Sequence, residues 1–174
     1  MPNPFAQWTR SWLLLLAAVF GTGIFFGVQL TLYNNFVVET LHIEPHQLGF
    51  VEGLREVPGF LNALFIALVI RVAPPVVGAV SLVVMGLGIM AYAQTSSVLA
   101  LASFSLVWSL GFHCWAPLEQ TMALAYSPPG DKGRWLGQLR SAHSLAWLLA
   151  IGVCLLLFPL LRYGGLFVLA GLAT

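Results

Sequence analysis

The chain has 174 residues, of which 59% are hydrophobic and 7% are charged, and its mean hydropathy is +0.91. A soluble domain carries about 25% charged residues, so this composition indicates an integral membrane protein. The net charge of +1 gives no basis for a nucleic-acid-binding surface, and Cys114 and Cys154 lie in apolar stretches where neither a disulfide framework nor a zinc site is expected.

The apolar runs predict an all-α fold, a polytopic transmembrane helix bundle that forms a single domain over residues 1–174. About 20 apolar residues are needed to cross ~30 Å of hydrocarbon. The last apolar run, 166–174, is shorter than that, so we expect a fragment cut inside a sixth span. The predicted full spans are 12–33, 49–70, 76–93, 98–126 and 135–161, with the truncated sixth starting at 166.

The first span carries a GxxxG pair, Gly23 and Gly27, which predicts a face for close helix packing. The loop that follows contains two acidic residues and two histidines, which admit two interpretations. One is a metal site, and the other, which we favour because no spacing matches a known site, is a solvated acidic loop. These loop residues are Glu39, His42, Glu44 and His46.

The second span, 49–70, begins with three charged residues, Glu52, Arg55 and Glu56. Their spacing places them on one helix face, which continues to Gly59 and then to Asn62 or Ala63. Because ionised groups inside a bilayer pair or face a polar interior, one interpretation is a proton-coupling carboxylate with a cationic partner. The other is a cluster held in water at the outer interface.

The fourth and fifth spans flank the loop SPPGDKGR, and they are predicted to form an antiparallel pair. Glu119 lies 11 residues before Gly130 and Arg140 lies 10 after it, so a common rise of about 1.5 Å per residue brings them to similar depth. We expect an ion pair between them, direct or through water; the alternative is two snorkelling side chains. His113 and Gln120 are predicted to share one helix face, and His143 and Trp147 share that of Arg140.

The distribution of basic residues predicts the orientation of the chain. Arg10, Arg71, Lys132 and Arg134 fall on one side of the predicted spans, and Arg162 falls on the other. The amino terminus is therefore expected to be cytoplasmic, and the expected location is the bacterial inner membrane.

Four features occur in order along the chain: the Gly-rich first span, the short second loop after Arg71, the fourth span with Gly111 and Pro117, and the segment SPPGDKGRWLGQLRSAHSL. Together they resemble the amino-terminal six-helix half of a major facilitator superfamily transporter. The resemblance implies a half built from inverted three-helix repeats, with a carboxyl-terminal half that this sequence lacks.

Two motifs depart from the pattern of that family. The signature of its second loop, G-x-L-a-D-r-x-G-r-[KR], is replaced by IALVIRVAPP, in which Leu68 and Arg71 match, Ile70 stands for the acidic residue and Ala73 for the second Gly. The motif GxxxGPxxGG, typical of drug antiporters, is missing from HSLAWLLAIGV. An antiporter assignment therefore loses support.

The resemblance implies that the first, second, fourth and fifth helices line a central cavity, and the polar residues of the chain concentrate in those spans. The function it implies is secondary transport of a small solute by alternating access, with protons as a candidate coupling ion and no cofactor. The candidate cavity or coupling residues are Glu52, Arg55, Glu56, Asn62, His113, Glu119, Gln120, Arg140, His143 and Trp147.

Two other functions remain to be weighed against transport. A membrane scaffold or assembly factor could keep the fold without transport, and the altered second-loop motif favours it somewhat. A membrane enzyme is not expected, because the chain contains neither HExxH nor GxSxG.

Overall fold

The structure, a computed structural model, describes residues 9–174, so the first eight residues of the predicted domain lie outside the described part. The described residues form six α-helices and no strand, which confirms the all-α prediction. Four segments are long and apolar enough to cross a membrane: α1, α4 with the short 3-10 turn after it (Pro74–Gln94), α5 and α6. The helices are α1 Arg10–Glu39, α2 Pro45–Phe60, α3 Asn62–Val69, α4 Pro74–Met90, α5 Val98–Tyr126 and α6 Lys132–Ala173.

Side-chain caps and prolines fix several helix starts. Thr9 Oγ1 accepts a hydrogen bond from the Trp12 amide at 3.2 Å, and Ser97 Oγ accepts one from the Ala100 amide at 3.2 Å. Both caps satisfy amides that the first helical turn leaves without a partner. Pro74 opens α4, where the missing N–H costs nothing.

The predicted second span, 49–70, is not one helix. Helix starts earlier, at Pro45, and is interrupted at Leu61 (φ −89°, ψ 0°), which separates α2 from α3. Pro58 lies inside α2 and cannot donate to the carbonyl of Leu54, and the following Gly59 is a weak helix former, so the helix is least stable here. Neither α2 nor α3 is among the four segments long enough to span alone.

The predicted fifth and sixth spans lie together in α6, with a reversal at Arg162 (φ 53°, ψ −167°). A side chain added at Gly23 would meet the carbonyl of His143, and one added at Gly21 would meet the carbonyl of Ala173. Two positions 30 residues apart in α6 therefore lie at the same level of α1, so the chain turns back at Arg162 and both halves of α6 flank α1.

The predicted GxxxG face is a packing surface in the structure. A Cβ at Gly23 would lie 2.7 Å from the Ala146 Cβ, and one at Gly27 would lie 2.6 Å from the Ala150 Cβ. The absence of side chains at these two positions is what lets α1 and α6 approach so closely.

Two buried apolar clusters fill the interior, one towards each end of the bundle. The smaller cluster joins the start of α1 to the α5–α6 turn, with the Trp12 and Trp135 ring centroids 4.3 Å apart. The larger cluster joins the rest of α1 to α4, α5 and the second half of α6, around Phe25, Tyr92 and Phe167. Polar groups collect between the two and along α2.

Candidate functional site

A cavity of about 240 Å³ lies between α1, α5 and α6. It brings together four of the sequence-predicted residues, two from α5 and two from α6. Most of its remaining wall is aromatic or small. The cavity is lined by Thr22, Phe26, Phe112, Trp115, Ala116, Glu119, Gln120, Arg140 and His143.

The predicted ion pair is present at this cavity, with Arg140 Nη1 3.8 Å from Glu119 Oε1. The two partners differ in environment, since 10% of the Glu119 side chain and 60% of the Arg140 side chain are exposed. A buried carboxylate depends on its cation far more than an exposed guanidinium depends on its anion. Arg140 also keeps N–H donors directed away from Glu119, which a solute with an acceptor oxygen can use.

Phe26 of α1 is the centre of the aromatic wall. Its ring centroid lies 5.0 Å from that of Phe112, 6.3 Å from His143 and 6.4 Å from Trp147. Trp147 is not among the cavity-lining residues; it stacks on Phe26 and contacts the His143 ring edge-on at 5.9 Å. Its contribution is therefore to hold the rings that line the cavity.

A second polar group, which we call the α2–α5 seam, consists of Glu52, Arg55 and Glu56 of α2 with Ser109 and His113 of α5. Arg55 Nη1 lies 2.5 Å from Glu52 Oε2, and Arg55 Nη2 lies 3.1 Å from Glu56 Oε1. His113 Nε2 lies 3.7 Å from Glu56 Oε2. The predicted face of α2 therefore turns towards α5, and Gly59 on that face makes room for the His113 ring.

The contacts of His113 fit a ring that carries its proton on Nδ1. This nitrogen lies 3.0 Å from the Ser109 carbonyl, which can only accept a hydrogen bond. Ser109 Oγ, 3.1 Å from the same nitrogen, donates its own proton to the carbonyl of Arg55. In that tautomer Nε2 of a neutral ring presents a lone pair to Glu56, whose side chain is half-exposed.

Arg55 also contacts a buried hydrogen-bond network, which was not predicted from the sequence. Its guanidinium carbon lies 5.5 Å from the Trp108 ring centroid, a cation–π contact. Trp108 Nε1 donates to the Tyr92 hydroxyl at 2.7 Å, and that oxygen lies 2.6 Å from Ser105 Oγ. The available signal was the i+4 spacing of Ser105, Ser109 and His113, which puts a polar row on one face of an apolar span.

Eight of the ten candidate residues thus fall into two groups, the cavity and the seam. Trp147 packs behind the cavity wall, and Asn62 lies outside both groups. His113 belongs to the seam and Gln120 to the cavity, although the two were predicted to share a helix face. Asn62 opens α3 and lines neither group; its Oδ1 is buried with no hydrogen-bond partner. Tyr33 Oη and Glu52 Oε1 are also buried without partners.

The first loop gives little support for a metal site. His46 Nδ1 lies 3.2 Å from Glu44 Oε2, with both side chains largely exposed. Among residues 9–174, no group of three or more His, Cys, Asp or Glu side chains is arranged to hold a metal ion.

Comparisons with known proteins found no match: no protein-family model, no curated protein and no solved structure is similar to this chain. The resemblance to the major facilitator superfamily therefore rests on the sequence segments quoted above. The chemistry of the two polar groups has to be argued from their own geometry.

Proposed function

We propose that the protein is a secondary active transporter of a small solute, in which this chain forms the amino-terminal six-helix half of a major facilitator-like fold. The observation that carries the proposal is the buried Glu119 carboxylate, paired with Arg140 beside a cavity within a bundle of long apolar helices. Such residues are expensive inside a membrane, where they usually mark a pathway for a solute or an ion.

The proposed binding site is the cavity between α1, α5 and α6, completed by a second six-helix half. Arg140 and Gln120 are exposed and offer N–H donors, while Phe26 and Phe112 offer apolar walls. A solute with both an acceptor oxygen and an apolar part suits this combination. In the proposed cycle the two halves rock about the site and expose it to each side in turn.

The proposed coupling ion is the proton, and the proposed proton site is the Glu56–His113 contact. When Nδ1 of a neutral His113 ring donates to the Ser109 carbonyl of α5, Nε2 carries no proton. The contact between Nε2 and the Glu56 carboxylate is then attractive only when one of the two groups gains a proton. Loss of that proton leaves a carboxylate facing a lone pair, which favours separation of α2 from α5. Protonation at this contact would thereby bias the position of α2.

The proposed setting is the bacterial inner membrane with a cytoplasmic amino terminus. This orientation places Arg71, Lys132 and Arg134 in cytoplasmic loops, where basic residues are enriched. In that arrangement α2 and α3 together form the second crossing. They cover 45–69 with one interruption at Leu61, and broken helices occur in transporters where irregular backbone is covered by protein or faces a cavity.

Alternating access can be tested without knowing the solute. Gln120→Cys, in a background with Cys114→Ser and Cys154→Ala, places one thiol on the cavity wall. In the full-length protein we expect a membrane-impermeant methanethiosulfonate to modify this thiol from either side, in right-side-out and in inverted vesicles. Leu155→Cys is the control, because Leu155 is 72% exposed on the apolar surface of α6 and should resist the reagent from both sides.

Modification of Gln120→Cys from one side alone would contradict alternating access. That result would support the second candidate, a scaffold or assembly factor with a static cavity. The observation favouring this candidate is the second loop, IALVIRVAPP, in which Arg71 forms no ion pair with any described residue and the acidic position of the transporter motif is Ile70.

A further inference from the structure

An apolar groove of about 300 Å³ lies between α3, α4 and α5, and it shares no lining residue with either polar group. Valine, leucine and phenylalanine side chains make most of its wall, including Leu68, Val80 and Leu110. Ser81 is the one hydroxyl in the wall, and it donates to the carbonyl of Val77 at 2.8 Å. Apart from the Cys114 thiol, which is a weak donor, the groove therefore offers no free hydrogen-bonding side chain to a water-soluble ligand.

The groove exists because α3 stands away from its neighbours. After the interruption at Leu61, α3 runs from Asn62 to Val69 without burying a single residue. The groove lies between this helix and the α4–α5 pair, which is closely packed where Gly111 meets the backbone of Ser81. A bilayer would fill such a gap with hydrocarbon, since a void of this size forfeits contacts on every wall.

A basic residue is next in sequence to the lining of the groove. Val72, in the turn between α3 and α4, lines the groove, and the adjacent Arg71 is exposed. Within residues 9–174, no acidic side chain pairs with Arg71. The groove thus combines an apolar lining with an exposed basic residue, Arg71, next to the lining residue Val72.

We propose that the groove is a binding site for an anionic glycerophospholipid, with an acyl chain in the groove and the phosphate at Arg71. A phospholipid supplies both the hydrocarbon and the negative charge from one molecule. An apolar helix of a second protein copy would fill the groove but supply no counter-charge to Arg71. The proposal does not depend on transport, because it uses no residue of the cavity or the seam.

The headgroup part of the proposal predicts a preference that depends on one residue. Full-length protein in detergent is mixed with equal amounts of palmitoyl-oleoyl phosphatidylglycerol and phosphatidylcholine, and retained lipid is counted by native mass spectrometry. We expect about fivefold more retained phosphatidylglycerol, the factor given by about 1 kcal/mol per basic residue near an anionic surface. Arg71→Gln should bring the ratio close to one, whereas Arg162→Gln, which removes a cation far from the groove, should leave it unchanged.

The predicted position of the acyl chain can be tested by photo-crosslinking. A phosphatidylglycerol carrying a diazirine in the middle of one acyl chain should, after irradiation, label peptides of α3 and α4 and the Cys114 region of α5. Val80→Phe fills the groove, and it should reduce both this labelling and the number of retained lipids. The proposal is overturned if Arg71→Gln keeps the preference, if the label spreads evenly over other helices, or if Val80→Phe changes the oligomeric state and not the bound lipid.

Discussion

The Glu119–Arg140 pair leads to a prediction about asymmetry between its two members. At 3.8 Å the direct interaction is about 4 kcal/mol for an effective dielectric constant of about 20. Because the Arg140 side chain is 60% exposed, solvent screens the pair, and we expect a coupling energy of roughly 1–2 kcal/mol, between that of exposed and fully buried pairs. The two single substitutions should nevertheless differ strongly in their cost.

Arg140→Gln leaves a buried carboxylate without its cation, so it should lower the free energy of unfolding by about 2–3 kcal/mol. Glu119→Gln leaves an exposed guanidinium in contact with water, and it should cost less than about 1 kcal/mol. The double variant should therefore be more stable than Arg140→Gln alone. For a chain of this size, the Arg140→Gln loss corresponds to a fall of roughly 4–12 °C in Tm.

The assay is thermal unfolding of the four proteins in one detergent, analysed as a double-mutant cycle. The matched control is Asp131 with Arg134, whose charged atoms are 4.0 Å apart and whose side chains are 46% and 49% exposed. That exposed pair should show a coupling energy below about 0.5 kcal/mol. Equal coupling in both cycles, or a double variant less stable than Arg140→Gln, would refute the argument from burial.

Three further predictions address packing, backbone strain and coupling. In the same unfolding assay, Gly27→Ala should destabilise the protein by about 1–3 kcal/mol, because the added Cβ overlaps with α6. Gly152→Ala should stabilise it by about 0.5–1 kcal/mol, because a Cβ at that position meets nothing within 4 Å. Arg162→Gly should raise the free energy of unfolding by about 1 kcal/mol, because the φ of 53° strains any residue with a Cβ. Arg162→Ala, which keeps a Cβ, should give no such gain. Glu56→Gln should abolish pH-driven uptake in proteoliposomes while solute exchange continues, and normal uptake across the pH range would remove Glu56 as the proton carrier.

The features predicted correctly from sequence are those set by helix geometry alone. Glu119 and Arg140 meet because two helices leave one short turn, and nearly equal distances from Gly130 give similar depth whatever the neighbours are. The close approach at Gly23 and Gly27 follows similarly from spacing on one helix face. Neither prediction required knowledge of how distant helices pack.

Features that depend on competition between neighbours were missed. The second span was predicted as one helix, and a Pro58–Gly59 step is compatible with either a kinked helix or two helices. The outcome depends on what α2 gains by packing against α5 and on the lack of any buried contact for α3. The partner of His113 was unpredictable for the same reason, since helix spacing orders residues along α5 but does not identify the helix opposite.

The two polar groups differ in what a movement of α2 would do to them. The seam joins α2 to α5, whereas the cavity pair joins α5 to α6, and α6 is fixed to α1 by the contacts at Gly23 and Gly27. Separation of α2 from α5 therefore breaks the Glu56–His113 contact but leaves Glu119 and Arg140 in place. The same movement would break the hydrogen bond from Ser109 Oγ to the Arg55 carbonyl and expose the two buried residues of α2, Val51 and Pro58. For the proposed carrier, a proton at the seam would therefore act on the position of α2 and leave the Glu119–Arg140 pair of the cavity intact.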